Sequence, residues 1–71
     1  MGRKKAPPSI RLRELRAARK LSQVALGQLV GASASRVSEW ESGRHKPEAD
    51  RRVAIERLTA SWGAVIRVED W

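Results

Sequence analysis

Apolar residues recur at intervals of three and four through most of the chain, in short blocks separated by serine, glycine or proline. Leu12 and Leu15 mark the first block, and with Ser9 as N-cap they predict a helix from Ile10 to about Lys20. Leu26, Leu29 and Val30 place a second helix over 23–30, behind Ser22 as its cap. Gly31 then stands where a left-handed residue ends a helix at little cost, and Ser33 caps a third helix, predicted over 33–41. In that helix Ala34, Val37 and Trp40 recur as the buried edge, while Ser35, Arg36, Ser38 and Glu39 point outward. Gly27 in mid-helix costs about 1 kcal/mol relative to Ala, which implies a close approach there, with the crossing third helix as the neighbour.

Pro47 followed by Glu48 and Asp50 opens a fourth helix that runs to about Ser61 and ends at Gly63. Val53, Ile55, Leu58 and Trp62 are its candidate core or interface positions. The β-branched run in 64–68 suits either an extended segment or a terminal helical turn. The expected fold is therefore all-α: a compact bundle of four to five helices, with a short basic arm at 1–8, the domain proper at 9–63 and an apolar tail at 64–71.

Composition narrows the function. At 71 residues the chain is one domain, near the size where a core supplies only about 3–5 kcal/mol of net stability, so self-association would help it. The absence of Cys excludes disulfides, thiolate metal sites and a Cys nucleophile. His45, the single His, reads as a loop residue. With no phosphate-binding glycine loop and no paired carboxylates in an apolar setting, no enzyme activity, cofactor or metal is expected. No apolar run approaches the roughly 18 residues a bilayer span needs, so a soluble, cytoplasmic, nucleoid-associated protein is expected, without a membrane partner.

The net charge of +7 is concentrated at one end. Arg3, Lys4, Lys5, Arg11, Arg13, Arg16, Arg19 and Lys20 face Glu14 alone within the first twenty residues, and the rest of the chain balances. Such asymmetry points to a surface that meets a polyanion, with nucleic acid ahead of an anionic membrane. Arg3, Lys4 and Lys5 form either a solvated tail or an arm along DNA.

Leu15-Arg16, Leu21-Ser22-Gln23, Leu26, Gly27, Leu29, Gly31, the serine-rich turn, Val37, Trp40-Glu41, Gly43 and Pro47 stand in one register. Over residues 10–47 this pattern resembles the Cro and repressor type of helix-turn-helix protein of bacteria and phages, with its λ-repressor-like fold. The resemblance implies that the helix over 33–41 enters the major groove of double-stranded DNA, with Ser33, Ala34, Ser35, Arg36, Ser38 and Glu39 near base edges. Serine hydroxyls pair with several bases, Ala34 suits a thymine methyl, Glu39 accepts from cytosine, and Arg36 suits guanine or a phosphate. Phosphate contacts are expected from Gln23, Arg44 and Lys46, with Arg13 and Arg19 as further candidates. The resemblance also implies an ion pair between Arg16 and Glu41, since a guanidinium beside the apolar stripe needs a partner.

A sequence-specific transcription regulator, repressor or Cro-like, is the expected function, acting as a homodimer on an inverted-repeat operator. The alternative is the antitoxin of a toxin–antitoxin pair, which binds operator DNA and also a toxin protein. The tail departs from the family pattern, so Trp62 and Trp71 are expected either to pack on the core or to meet a protein partner.

Overall fold

A computed structural model of the protein describes residues 6–71, so the expected arm residues Arg3, Lys4 and Lys5 lie outside the described residues. Four α-helices follow in order: α1 Pro8–Ala18, α2 Gln23–Val30, α3 Ala34–Ser42 and α4 Ala49–Ser61, with a 3-10 turn at Val68–Asp70. There is no strand among the described residues, and no helix is long and apolar enough to cross a membrane. Leu12, Leu26, Val30, Val37, Trp40, Ile55 and Ile66 form the core, one or two from each helix plus one from the tail. Burying side chains of this size removes about 1.5–3 kcal/mol of unfavourable hydration each.

Helix α1 starts earlier than Ser9 as a cap would have it. Pro7 is the N-cap and Pro8 the first helical residue, a place that suits proline because its missing N–H has no helical partner there. Ser9 is thus already inside the helix. Its other end comes at Ala18, before Lys20, which takes a positive φ of 57°.

Helix α2 corrects the expected stripe. Leu26, Gly27 and Val30 are buried, whereas Leu29 is 56% exposed. At about 100° per residue Leu29 lies roughly 60° beyond Leu26, on the side away from Gly27 and Val30. Ser22 caps as expected, its Oγ accepting from the Ala25 N–H at 3.0 Å. Gly31, at φ 76°, closes the helix in the left-handed region.

The neighbour of Gly27 is also different from the one anticipated. A Cβ there would collide with the carbonyl oxygen of Ala32 and stand 3.2 Å from its carbon, so the crowding comes from the turn and not from the body of α3. The Ala32 N–H donates to the Gly27 carbonyl at 2.8 Å, drawing the chain back over the glycine. This contact sets how closely α3 folds against α2.

Val53 on α4 is 39% exposed, which corrects its place as a core candidate. It is two residues from the buried Ile55, about 200° round the helix, so both cannot face inward. Leu58 and Trp62 are half-buried against the core, and so is Trp71. The two tryptophans thus pack on their own domain.

The tail leads into its 3-10 turn, and it is fastened by the buried Thr59 and the half-buried Arg11. Thr59 Oγ1 donates to the Ile55 carbonyl at 2.7 Å and accepts from the Ile66 N–H at 2.8 Å, while Arg11 donates to the Val65 carbonyl at 2.8 Å. The bonds to Val65 and from Ile66 hold Ile66 in the core.

Candidate nucleic-acid interface

The α2–turn–α3 unit presents α3 with one edge inward and one edge bare. Val37 and Trp40 are buried, Ala34 and Glu39 are half-buried, and Ser33, Ser35, Arg36 and Ser38 are exposed. The Ser33 hydroxyl accepts from the Arg36 N–H at 3.2 Å and so caps the helix, which commits part of its hydrogen-bonding capacity. Among the described residues the Ser35 and Ser38 hydroxyls, on the outer row, have no hydrogen-bond partner.

What holds α3 in place is the pair Arg16–Glu41. Arg16 Nε donates to Glu41 Oε2 at 2.6 Å and Nη2 to Oε1 at 3.0 Å, a two-pronged geometry that matches guanidinium to carboxylate. A third Arg16 nitrogen donates to the Leu21 carbonyl at 2.8 Å, and Gln23 Nε2 donates to Glu41 Oε1 at 3.1 Å. The two charged side chains are 17% and 4% exposed. The Glu41 hydrogen bond, the largest influence, raises the Arg16 pKa above its ordinary value; burial opposes it and the Glu41 charge adds to it. The charged form of Arg16 is thereby favoured in the fold, and α1, α2 and α3 meet at one carboxylate.

In that network the amide of Gln23, a candidate phosphate contact, donates to Glu41. Arg13 comes close: it lines a hollow of about 260 Å³ with Gln23, Ser38 and Ser42, along one flank of α3. Arg19 does not, for its guanidinium lies 4.7 Å from the ring centre of Trp62 and donates to the Trp62 carbonyl at 3.4 Å.

Arg44 and Lys46 are exposed on the loop between α3 and α4. Gly43, at φ 80°, turns the chain so that the Arg44 N–H donates back to the Glu39 carbonyl at 3.1 Å. At the other end Arg52 Nε donates to the Pro47 carbonyl at 2.8 Å. The loop is thereby tethered on both sides of its cations. Lys46, His45, Arg36, Glu39 and Glu48 share a concavity, so the loop continues the outer face of α3.

One residue outside the expected set enters the same surface. Arg51, in the first turn of α4, lines a hollow of about 290 Å³ with Ser33 and Arg36. Nothing in the periodicity marks it, because an arginine on the first turn of a surface helix reads as solubilising charge.

Among the described residues no cluster of His, Cys, Asp or Glu could hold a metal ion. Neither a comparison with curated proteins nor one with solved structures returned a match. A family model described as a helix-turn-helix domain matches residues 9–67, which contain α2, α3, α4, the turn between α2 and α3, and all of α1 but Pro8. The chain therefore belongs to the helix-turn-helix domain family.

Proposed function

We propose that the protein is a sequence-specific DNA-binding transcription regulator, a repressor or Cro-like switch that reads the major groove with α3 in the cytoplasm. The observation that carries this reading is the bare row of Ser35, Arg36 and Ser38 on a helix whose inner edge, Val37 and Trp40, is locked into the core. A rigid helix of about 10–12 Å diameter fits the groove, where each base pair displays a distinct set of donors and acceptors. Ser38 and Ser35 address base edges, Arg36 addresses guanine or a neighbouring phosphate, and Glu39 addresses cytosine. Arg44, Lys46 and Arg13 position the helix by gripping the backbone. A homodimer on two half-sites about 34 Å apart supplies the affinity that one small domain lacks, and the basic arm at residues 3–5 adds to it.

Selection of random duplexes on the purified protein is expected to return an inverted repeat. With about eight phosphates neutralised per dimer, log affinity against log salt should fall with a slope of about −7. A flat salt dependence, or a pool without sequence preference, rules the reading out.

Single substitutions separate reading from gripping. Ser38→Ala should relax preference at one position of the half-site, by about 1–3 kcal/mol of discrimination. Lys46→Ala should weaken every duplex evenly and leave the ranking of sequences intact. Competition binding against a panel of point-mutated operators measures both, and identical behaviour of the two variants would remove Ser38 from the reading face.

A further inference from the structure

A helix seated in a groove about 12 Å wide has a phosphate strand along each of its flanks. On one flank of α3 the cation is Arg13, beside Gln23, Ser38 and Ser42. On the other, next to the turn, a hollow is lined by Gly31, Ala32, Ser33, Arg36, Glu48 and Arg51. Building on the DNA-binding role proposed above, we infer that Arg51 is a backbone-gripping residue: its guanidinium holds a phosphodiester on the flank of α3 opposite Arg13.

The guanidinium is placed for this. Its carbon and both terminal nitrogens lie 3.7, 3.8 and 3.9 Å from the position a Cβ on Gly31 would take, so it rests with its flat face over the turn. The N–H edges are thereby directed sideways, along the surface, where two of them can meet two phosphate oxygens. Its present partner is Asp50, through one contact of 3.3 Å between side chains 38% and 68% exposed. Water screens such a pair, so exchanging it for a phosphate sacrifices little. Arg36 makes no ion pair among the described residues, and with Arg51 it offsets the charges of Glu48 and Asp50. Arg51 lies behind the turn and not on the outer row of α3, so it contributes affinity and register but no base preference.

The test measures affinity of the full chain for its selected duplex between about 50 and 200 mM salt, for the wild type, Arg51→Gln and Arg57→Gln. Arg57 is an exposed arginine further along the same helix and serves as the control for general charge. The expected result is a salt slope shallower by about 0.9 per protomer for Arg51→Gln alone, with the ranking of competitor duplexes unchanged. An unchanged slope, an equal loss in Arg57→Gln, or an altered ranking overturns the assignment of Arg51 while leaving the DNA-binding role standing. A melting temperature of Arg51→Gln far below that of the wild type overturns it too, by making the Asp50 contact structural. A wild type that binds no duplex overturns both.

Discussion

Arg16→Met is expected to cost the fold about 3–5 kcal/mol, because it strands the Glu41 carboxylate, 4% exposed, with the Gln23 amide as its one side-chain donor among the described residues. A domain of this size has about that much stability in total, so the variant should be largely unfolded near 37 °C. Circular dichroism during a urea titration measures the loss. The double variant Arg16→Met/Glu41→Leu provides the internal check, since replacing both charges with apolar groups is often neutral or stabilising. Recovery of most of the wild-type stability in the double variant, read as a double-mutant cycle, would establish coupling across the α1–α3 contact. If each single variant instead lost less than about 1 kcal/mol, the pair would be energetically no more than a surface bridge. The pH dependence has a definite sign. A folded pKa raised above the ordinary arginine value means the stabilisation is fully present below that value and is lost only as pH rises through the folded one. Arg16 therefore contributes no slope to stability across neutral pH, and urea midpoints at about pH 6 and about pH 9 should reveal none from this pair's cation.

Gly27→Ala is the second large effect, and here two principles oppose each other in sign. Helix propensity alone favours Ala over Gly by about 1 kcal/mol. Against it, the added methyl would collide with the Ala32 carbonyl oxygen, a backbone atom that can move only if the turn opens. Overpacking of this kind typically costs about 1–3 kcal/mol, so a net loss of stability is expected. Because the turn sets the approach of α3 to α2, DNA affinity should fall further than stability does, at a temperature where the variant is still folded. Thermal melts paired with binding assays distinguish these effects. A stabilised variant would show that the turn relaxes freely and that the close approach sets nothing.

The helix-turn-helix is the part most legible in the sequence, since every signal there is local. Ser22 and Ser33 cap by reaching their own backbone a few residues on, and Gly31 and Gly43 take positive φ because glycine carries no Cβ. Buried positions on α3 follow from spacing, as Val37 and Trp40 lie three apart. Leu29 and Val53 show where spacing runs out. Both are apolar and sit near the expected stripe, but which sector of a helix is covered depends on how many neighbours cover it. Short helices flanked on one narrow side leave such residues in water. The misplaced start of α1 has a local cause as well: Ser9 is a better cap than Pro7, yet Pro8 supplies a preset φ that begins the helix first.

The candidate interface divides in the same way. That α3 carries an outward row of short polar side chains can be read from residues 33–39 alone. Which cations share that surface cannot: Arg13, Arg19 and Arg51 are equally anonymous arginines in sequence. Only the packing brings Arg13 beside Ser38, turns Arg19 onto Trp62 and lays Arg51 over Gly31. Gln23 is similar, drawn to Glu41 by a network whose members are 18 and 25 residues apart along the chain.

By itself, then, the amino-acid order of this chain determined its helices, its turn, the basic bias of its first twenty residues and the family to which it belongs. Those properties arise from interactions within a few residues, or from charge simply counted. The tertiary structure alone decided how the tail is held, with Thr59 and Arg11 carrying Ile66 into the core, and which arginines gather around α3. Contacts between distant residues depend on the angle at which helices cross, and that angle is set by close approaches such as Ala32 over Gly27, to which no repeating pattern along the chain corresponds.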